Sequence, residues 1–169
     1  MPEEVNAQSR YAQLEIHRDP FLRRARECSE LTIPTLIPPD GHSGSTDYPT
    51  PFQSIGARAV NNLAAKMLMA LLPPNSPFFR LVVDDFDLTM LQGEGQRGEV
   101  EEALARIERS IISEIEILNL RVPCYEALKL LLVSGNVLVH LPPEGGMRVF
   151  PLDRYVVQRD AMGNVLEII

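Results

Sequence analysis

Residues 50–72, TPFQSIGARAVNNLAAKMLMALL, carry the strongest helix signal in the chain. Thr50, Pro51 and Gln53 match a capping box with proline at the first helical position, which predicts that the helix begins here. Apolar residues then recur at intervals of three and four until a Pro-Pro pair ends the pattern, so one broad face is predicted to be buried. That face comprises Phe52, Ile55, Gly56, Ala59, Val60, Leu63, Ala64, Met67, Leu68 and Leu71.

The opposite face of this helix is polar. It carries Arg58, Asn61, Asn62 and Lys66. Four such residues in one helix argue against a membrane span and favour an amphipathic helix that packs on other parts of the protein. No uninterrupted apolar run elsewhere in the chain is long enough to cross a bilayer.

Composition and charge narrow the class of protein. The chain has 169 residues, of which 45% are hydrophobic and 23% charged, as in an ordinary folded domain. The net charge is −7, and residues 84–116, with ten acidic and three basic side chains, account for all of it. This balance excludes a general nucleic-acid binder. Cys28 and Cys124 are far apart in sequence and are predicted to be free thiols.

Residues 9–31 are predicted to form a helix that contains Pro20. Its charged positions are interpreted as a solvated face of ion pairs, and contact with a partner or a nucleic-acid backbone is the alternative. These positions are Arg18, Arg23, Arg24 and Arg26, interleaved with Glu15, Asp19, Glu27 and Glu30. Residues 33–49, IPTLIPPDGHSGSTDYP, have no periodicity and predict a long loop of the kind that often binds a partner.

The middle of the chain predicts two more helices. A short strand is expected at 78–83, followed by an acidic loop and a glycine-rich turn at 93–98. Residues 99–118 predict an amphipathic helix with Val100, Ala103, Leu104, Ile107, Ile111, Ile115 and Leu118 on one face. Pro123 is expected to break the chain before a helix at 124–134, which Gly135 can cap.

The pattern changes to short strands after residue 136. Four runs, 137–141, 147–151, 155–159 and 165–169, are separated by glycine- and proline-rich turns and predict antiparallel hairpins. Helices followed by a run of strands indicate an α+β fold. Because the chain stops inside the last of these strands, we expect residues 1–169 to be the N-terminal portion of a larger protein.

The motifs that suggest chemistry are all incomplete. Residues 93–98 match G-x-G-x-x-G, but the required preceding strand and the later acidic residue are missing, so a dinucleotide site is not predicted. Residues 41–45 resemble a nucleophile elbow without its strand and second glycine. Asp85 and Asp87 are interpreted as solvated carboxylates rather than cation ligands. The sequence predicts no enzyme activity, no catalytic residue, no cofactor and no metal.

Three stretches together resemble a known family. They are residues 45–72, residues 126–139 (EALKLLLVSGNVLV) and residues 155–166 (YVVQRDAMGNVL). In order and spacing they are similar to the head-to-tail connector, or portal, of short-tailed bacteriophages, and the similarity extends from about Tyr11 to the end of the chain.

The resemblance implies a structural subunit that is several hundred residues long. Portal subunits form a ring, typically a dodecamer, at one capsid vertex, through which double-stranded DNA passes without sequence specificity. The implied partners are the major capsid protein, scaffold, tail adaptor, core proteins and terminase. The implied location is the virion, with assembly in the host cytoplasm and no membrane. This chain would be the wing-like N-terminal body, and the channel-lining and terminase-docking parts would lie outside it.

Ring assembly requires two different contact faces on each subunit. Tyr48 in the loop at 33–49 and the polar helix face of Arg58, Asn61, Asn62 and Lys66 are the predicted subunit contacts, with ordinary packing inside one chain as the alternative. The alternative function for the whole chain is a scaffold or adaptor module of the virion that never forms a ring.

Overall fold

The computed structural model describes residues 6–74, 76–82 and 94–169, of which residues 94–97 are described by backbone only. Within these residues, four helices are followed by short strands in the order α1 (Ala7–Leu31), α2 (Ile55–Leu71), α3 (Glu94–Ile117), α4 (Arg121–Ser134), β1 (Leu138–His140), β2 (Arg148–Phe150), a 3-10 turn (Leu152–Arg154), β3 (Val157–Arg159) and β4 (Val165–Ile168). This order of elements confirms the predicted α+β class.

The strands form two separate antiparallel hairpins, as predicted. In the first, Leu138 lies opposite Phe150; in the second, Val157 lies opposite Ile168. Each strand is one or two residues shorter than the sequence runs suggested. The backbones of Val156 and Ile169 exchange hydrogen bonds of 2.9 and 3.0 Å, which continue the second ladder past its strands.

The main core lies where α1, α4 and the turn between the two hairpins meet. Its buried members are Leu22, Ala25, Ile37, Leu130, Leu152 and Tyr155. Ile37 comes from the proline-rich loop and is only 1% exposed. Ser29 holds that loop in place, because its hydroxyl donates to the Ile33 carbonyl at 2.8 Å and accepts from the Ile37 N–H at 3.1 Å.

Arg18 is buried, which corrects its assignment to a solvated face. One nitrogen of its guanidinium donates to the carbonyls of Asp153 at 3.0 Å and Tyr155 at 3.1 Å. The other nitrogen donates to the Glu15 carboxylate at 2.9 Å. A buried guanidinium is stable here because a carbonyl of the 3-10 turn and the carbonyl of the residue after it supply the acceptors. The solvated interpretation holds for Arg23, which pairs with Asp19 at 2.9 Å on the exposed side.

Helix α2 packs along α4 rather than into the main core. Ala64 is its buried residue, and the Arg121 guanidinium at the start of α4 donates to the carbonyls of Leu72 and Pro73. These two bonds satisfy carbonyls at the C-terminal end of α2, where no further helical N–H is available. The Tyr125 hydroxyl of α4 adds a hydrogen bond of 3.3 Å to the Asn61 carbonyl.

The predicted start of α2 is wrong. The helix begins at Ile55, its N-cap is Ser54 without a side-chain hydrogen bond, and Thr50 caps nothing. Phe52 is fully exposed, so an extra turn at 50–54 would gain no burial, and helical turns depend on packing more than on local signals.

The predicted boundaries of α3 and of the strand before it also need correction. Residues 78–82 form no strand, because the Leu81 N–H donates to the Glu108 carboxylate of α3 at 2.6 Å instead of to a neighbouring strand. Helix α3 begins at Glu94, so residues 94–98 are helical rather than a turn. A long helix tolerates two glycines near its start at a cost of about 1 kcal/mol each. The acidic loop at 84–87 and Gly93 lie outside the described residues.

Pro123 does not break the chain before α4. The helix begins at Arg121, and proline occupies its first turn, where the missing N–H would have had no helical acceptor. The end of α4 is as predicted: Gly135 is the C-cap in the left-handed conformation, with φ 72°.

Candidate subunit-contact surface

Three of the predicted contact residues form one exposed row on α2. Arg58, Asn62 and Lys66 recur every fourth residue and are all exposed, on the side of the helix away from the buried Ala64. The row places two cations and an amide on the solvent side of α2, where they are free to meet another molecule.

Asn61 lies apart from this row. Its side-chain oxygen accepts a hydrogen bond of 3.2 Å from the Tyr125 hydroxyl, and the Lys129 ammonium lies 4.8 Å from the centre of the Tyr125 ring. Asn61 therefore sits at the boundary between α2 and α4, although it is still exposed to solvent.

Tyr48, the fifth predicted contact residue, lies in a segment that we call the arm, residues 40–55. Every residue of the arm except His42 and Pro51 is exposed. The ring of Tyr48 contacts the ring of His42 with centroids 4.1 Å apart. The Ser43 hydroxyl bonds to the hydroxyls of Ser45 and Thr46, at 3.0 Å each. His42 and Ser43 thus interact with other neighbours, and the arrangement is not that of a nucleophile and its base.

Part of the predicted apolar face of α2 is exposed to solvent. The sequence analysis predicted that this face would be buried. Phe52, Ile55 and Leu63 were assigned to the buried face, but they are 105, 71 and 48% exposed. The helix buries a narrower stripe than its composition suggested, because α4 covers most of it and the end of α1 contacts only its start, at Gly56. On α3, the predicted apolar face is likewise open at Ile107 and Ile111, which are 49 and 37% exposed. Apolar surface of this extent is characteristic of interaction sites.

A groove lies between the first half of α1 and the second hairpin, and sequence reasoning missed it. It has a volume of about 860 Å³. Apolar residues of both elements form its floor, and Arg10, Arg18 and Arg159 supply its charged atoms. The Arg10 side chain bridges the two elements by donating to Glu167 at 3.0 Å and to Gln158. The clustering of arginines in α1 was the one sequence signal that could have indicated the groove.

Two groups near these surfaces have perturbed pKa values. Burial raises the pKa of the Tyr155 hydroxyl, and the nearby Arg159 charge partly opposes that rise. Burial also raises the pKa of the Cys124 thiol, which keeps it protonated. Within the described ranges, no cluster of three metal-ligating side chains occurs, and both cysteines are free. Asp85 and Asp87 lie outside those ranges.

None of the helices described in the structure is long and apolar enough to cross a membrane.

Comparison with known proteins gives one consistent family. The sequence model described as "Bacteriophage head to tail connecting protein" matches residues 4–169. The portal protein of Escherichia phage T7 is 44% identical over 172 residues, which cover 98% of this chain and 32% of that protein. The portal protein of Enterobacteria phage T3 is 42% identical with the same coverage. The portal protein of Pseudomonas phage phiKMV is 34% identical over 87% of this chain.

The chain spans about a third of the length of the relatives it matches, and the match includes all of the elements described above. It agrees with the resemblance identified from residues 45–72, 126–139 and 155–166. The chain belongs to the bacteriophage head-to-tail connecting protein family.

Proposed function

We propose that this chain is the N-terminal, wing-like portion of a portal subunit. Copies of the subunit form a ring, a dodecamer, at one vertex of the capsid, through which DNA is packaged and ejected and to which the tail attaches. The observation that carries the proposal is the 44% identity to a portal protein across 98% of the chain. The channel-lining and terminase-docking parts belong to the rest of the subunit.

The partners follow from that position in the particle. They are the major capsid protein, scaffold, tail adaptor, core proteins and terminase during assembly in the host cytoplasm and in the virion. Double-stranded DNA passes without sequence-specific contacts. The net charge of −7 supports this role, because many cationic contacts to phosphates would hold the DNA and oppose sliding. The role is structural and requires no catalytic group.

The subunit contacts include the exposed row on α2 and the arm. A ring joins two different faces of each subunit, so both faces must be free in a single copy. Arg58, Asn62 and Lys66 meet this condition, as does Tyr48 in the arm; Asn61 would contribute from the edge next to Tyr125.

The test is a phage whose gene for this protein is disrupted, with the protein supplied from a plasmid as the control. Without it, heads should assemble but contain no nuclease-protected DNA, and supplying it should restore packaging. Antibodies against this chain should label a single vertex of the particle, at the tail. Heads that package DNA normally without the protein would refute the proposal and would favour the scaffold or adaptor alternative.

A further inference from the structure

Two open surfaces lie next to each other along α1. The arm is fixed near the C-terminal end of this helix: Asp40 pairs with Arg26 at 3.1 Å, and Gly56, just after the arm, lies against the Leu31 carbonyl. The groove lies along the N-terminal half, from Arg10 to Phe21. Phe21 at the end of the groove and Arg26, which pairs with Asp40, are about 7.5 Å apart along the helix, and no residue of the arm lines the groove of its own chain.

The groove combines an apolar floor with positive charge. Ile16 and Phe21 of α1 line it and are 73 and 57% exposed, and Val157 of β3 lines it from the other side. None of its described lining residues is acidic. Arg10 and Arg18 already pair with Glu167 and Glu15. Arg159 has no carboxylate partner in the part of the chain that the structure describes.

The arm has the complementary composition. It contains no lysine or arginine and two carboxylates, of which Asp40 is paired with Arg26 and Asp47 has no ion-pair partner among the described residues. Its large apolar side chains point away from its own chain: Phe52 is 105% exposed and Ile55 is 71% exposed. An acidic, extended segment with aromatic anchors is the kind of ligand that an apolar groove with arginines binds.

We propose that the arm of one copy lies in the groove of the next copy in the ring, with Phe52 on the apolar floor and Asp47 facing Arg159. The inference rests on the proposed ring and names one of the contacts within it. The occupant is a second copy rather than the same chain, because the arm lies outside the groove of its own chain: Asp40 pairs with Arg26, Gly56 lies against the Leu31 carbonyl, and no arm residue lines the groove. A contact between two different surfaces is head-to-tail and can close a ring.

The test uses the complete ring-forming protein with a photo-reactive benzoylphenylalanine in place of Phe52. Subunits that carry the probe are assembled with isotopically heavy subunits that lack it, so that a light–heavy adduct must join two subunits. After illumination, we expect light–heavy adducts that peptide mass spectrometry maps to residues 10–21 or 152–159. The same probe at Met162, which is 90% exposed at the tip of the second hairpin, is the matched control and should give no light–heavy adduct within the groove.

The outcomes separate this inference from the proposed function. Rings that form normally but give Phe52 adducts outside the groove, or only within one chain, overturn the arm contact and leave the portal role standing. A protein that forms no rings even without the probe overturns both. Adducts to the groove across subunits support both.

A substitution on the groove side gives an independent readout. Phe21→Lys places a charge on the floor and should raise the protein concentration needed for half-maximal ring formation at least about tenfold, because aromatic anchors dominate interface energies. Val82→Lys is the matched control, since Val82 is 80% exposed and belongs to neither surface. Equal assembly of the two variants would contradict the inference.

Discussion

Arg18 ties the helical part of the chain to the hairpins. Its side chain is 7% exposed, and its guanidinium is the hydrogen-bond donor for carbonyls of the turn that precedes β3. In the sequence, Arg18 is one of several arginines in a charged helix. Its spacing does not show that Arg18 is buried while Arg23 is exposed. The distinction depends on which face of α1 meets the turn, and that is a tertiary property that local charge patterning does not encode.

The replacement Arg18→Met should lower the free energy of unfolding by about 3 kcal/mol, because each buried carbonyl left without a donor costs roughly 1–3 kcal/mol. Urea denaturation measures the change. Arg23→Met is the control, since Arg23 is 74% exposed in its pair with Asp19. An exposed pair contributes less than about 1 kcal/mol. Equal losses in the two variants would show that Arg18 is not the anchor.

Asp160 shapes the tip of the second hairpin. Its carboxylate accepts hydrogen bonds from the Asn164 side chain at 2.8 Å and from the N–H groups of Asn164 and Met162. These bonds, with that of the Asn164 side chain the strongest, hold the pKa of the Asp160 carboxyl below its usual range. A pKa that is lower in the folded state than in the unfolded state means that ionisation of Asp160 stabilises the folded protein.

The pH dependence follows from that direction. Asp160 contributes stability above its unfolded pKa of about 4, and the contribution is lost as the pH falls through the lower folded pKa. Asp160→Asn should therefore be less stable than the parent at pH 7, and the gap should narrow below about pH 4. Thermal denaturation across this range measures it, and a gap that does not change with pH would contradict the assignment.

At the scale of elements, periodicity predicted the helices and hairpins but not where α2 and α3 begin. The second hairpin and the Gly135 cap depend on the residue types at neighbouring turn positions, so both could be predicted from the sequence. Helix α2 begins at Ile55, where Gly56 packs against the end of α1. The capping sequence at Thr50 does not extend the helix towards the N-terminus. The groove needs two elements distant in sequence, so no local pattern could reveal it.

The close approach of α2 to the end of α1 depends on Gly56. A Cβ at this position would lie 2.6 Å from the Leu31 carbonyl oxygen. Gly56→Ala should therefore cost about 1–2 kcal/mol, since crowding of roughly 1–3 kcal/mol exceeds the helix propensity that alanine gains. The free energy of unfolding from urea denaturation reports the change.

Gly98→Ala is the matched control for that substitution. Gly98 also lies in a helix, α3, but a Cβ there would meet nothing within 4 Å. Alanine should therefore stabilise the protein by about 0.5–1 kcal/mol. If both substitutions stabilise the protein, α2 does not approach α1 as closely as described.

At the scale of the whole molecule, the described residues leave several apolar faces open. Ile55 and Leu63 on α2, Ile107 on α3 and Phe21 in the groove are all about half or more exposed. In the proposed ring, such faces would meet neighbouring copies. The sequence indicated the family, but it could not indicate which faces stay open.

The most direct test of the account is the mass and shape of the complete protein in solution. Mass measurement and electron microscopy of the purified protein should show closed rings of about a dozen subunits with a central channel, because heterologous contacts that close produce cyclic assemblies. Folded monomers that persist at concentrations well above those needed for assembly would contradict the portal role, and the contact between arm and groove would fail with it.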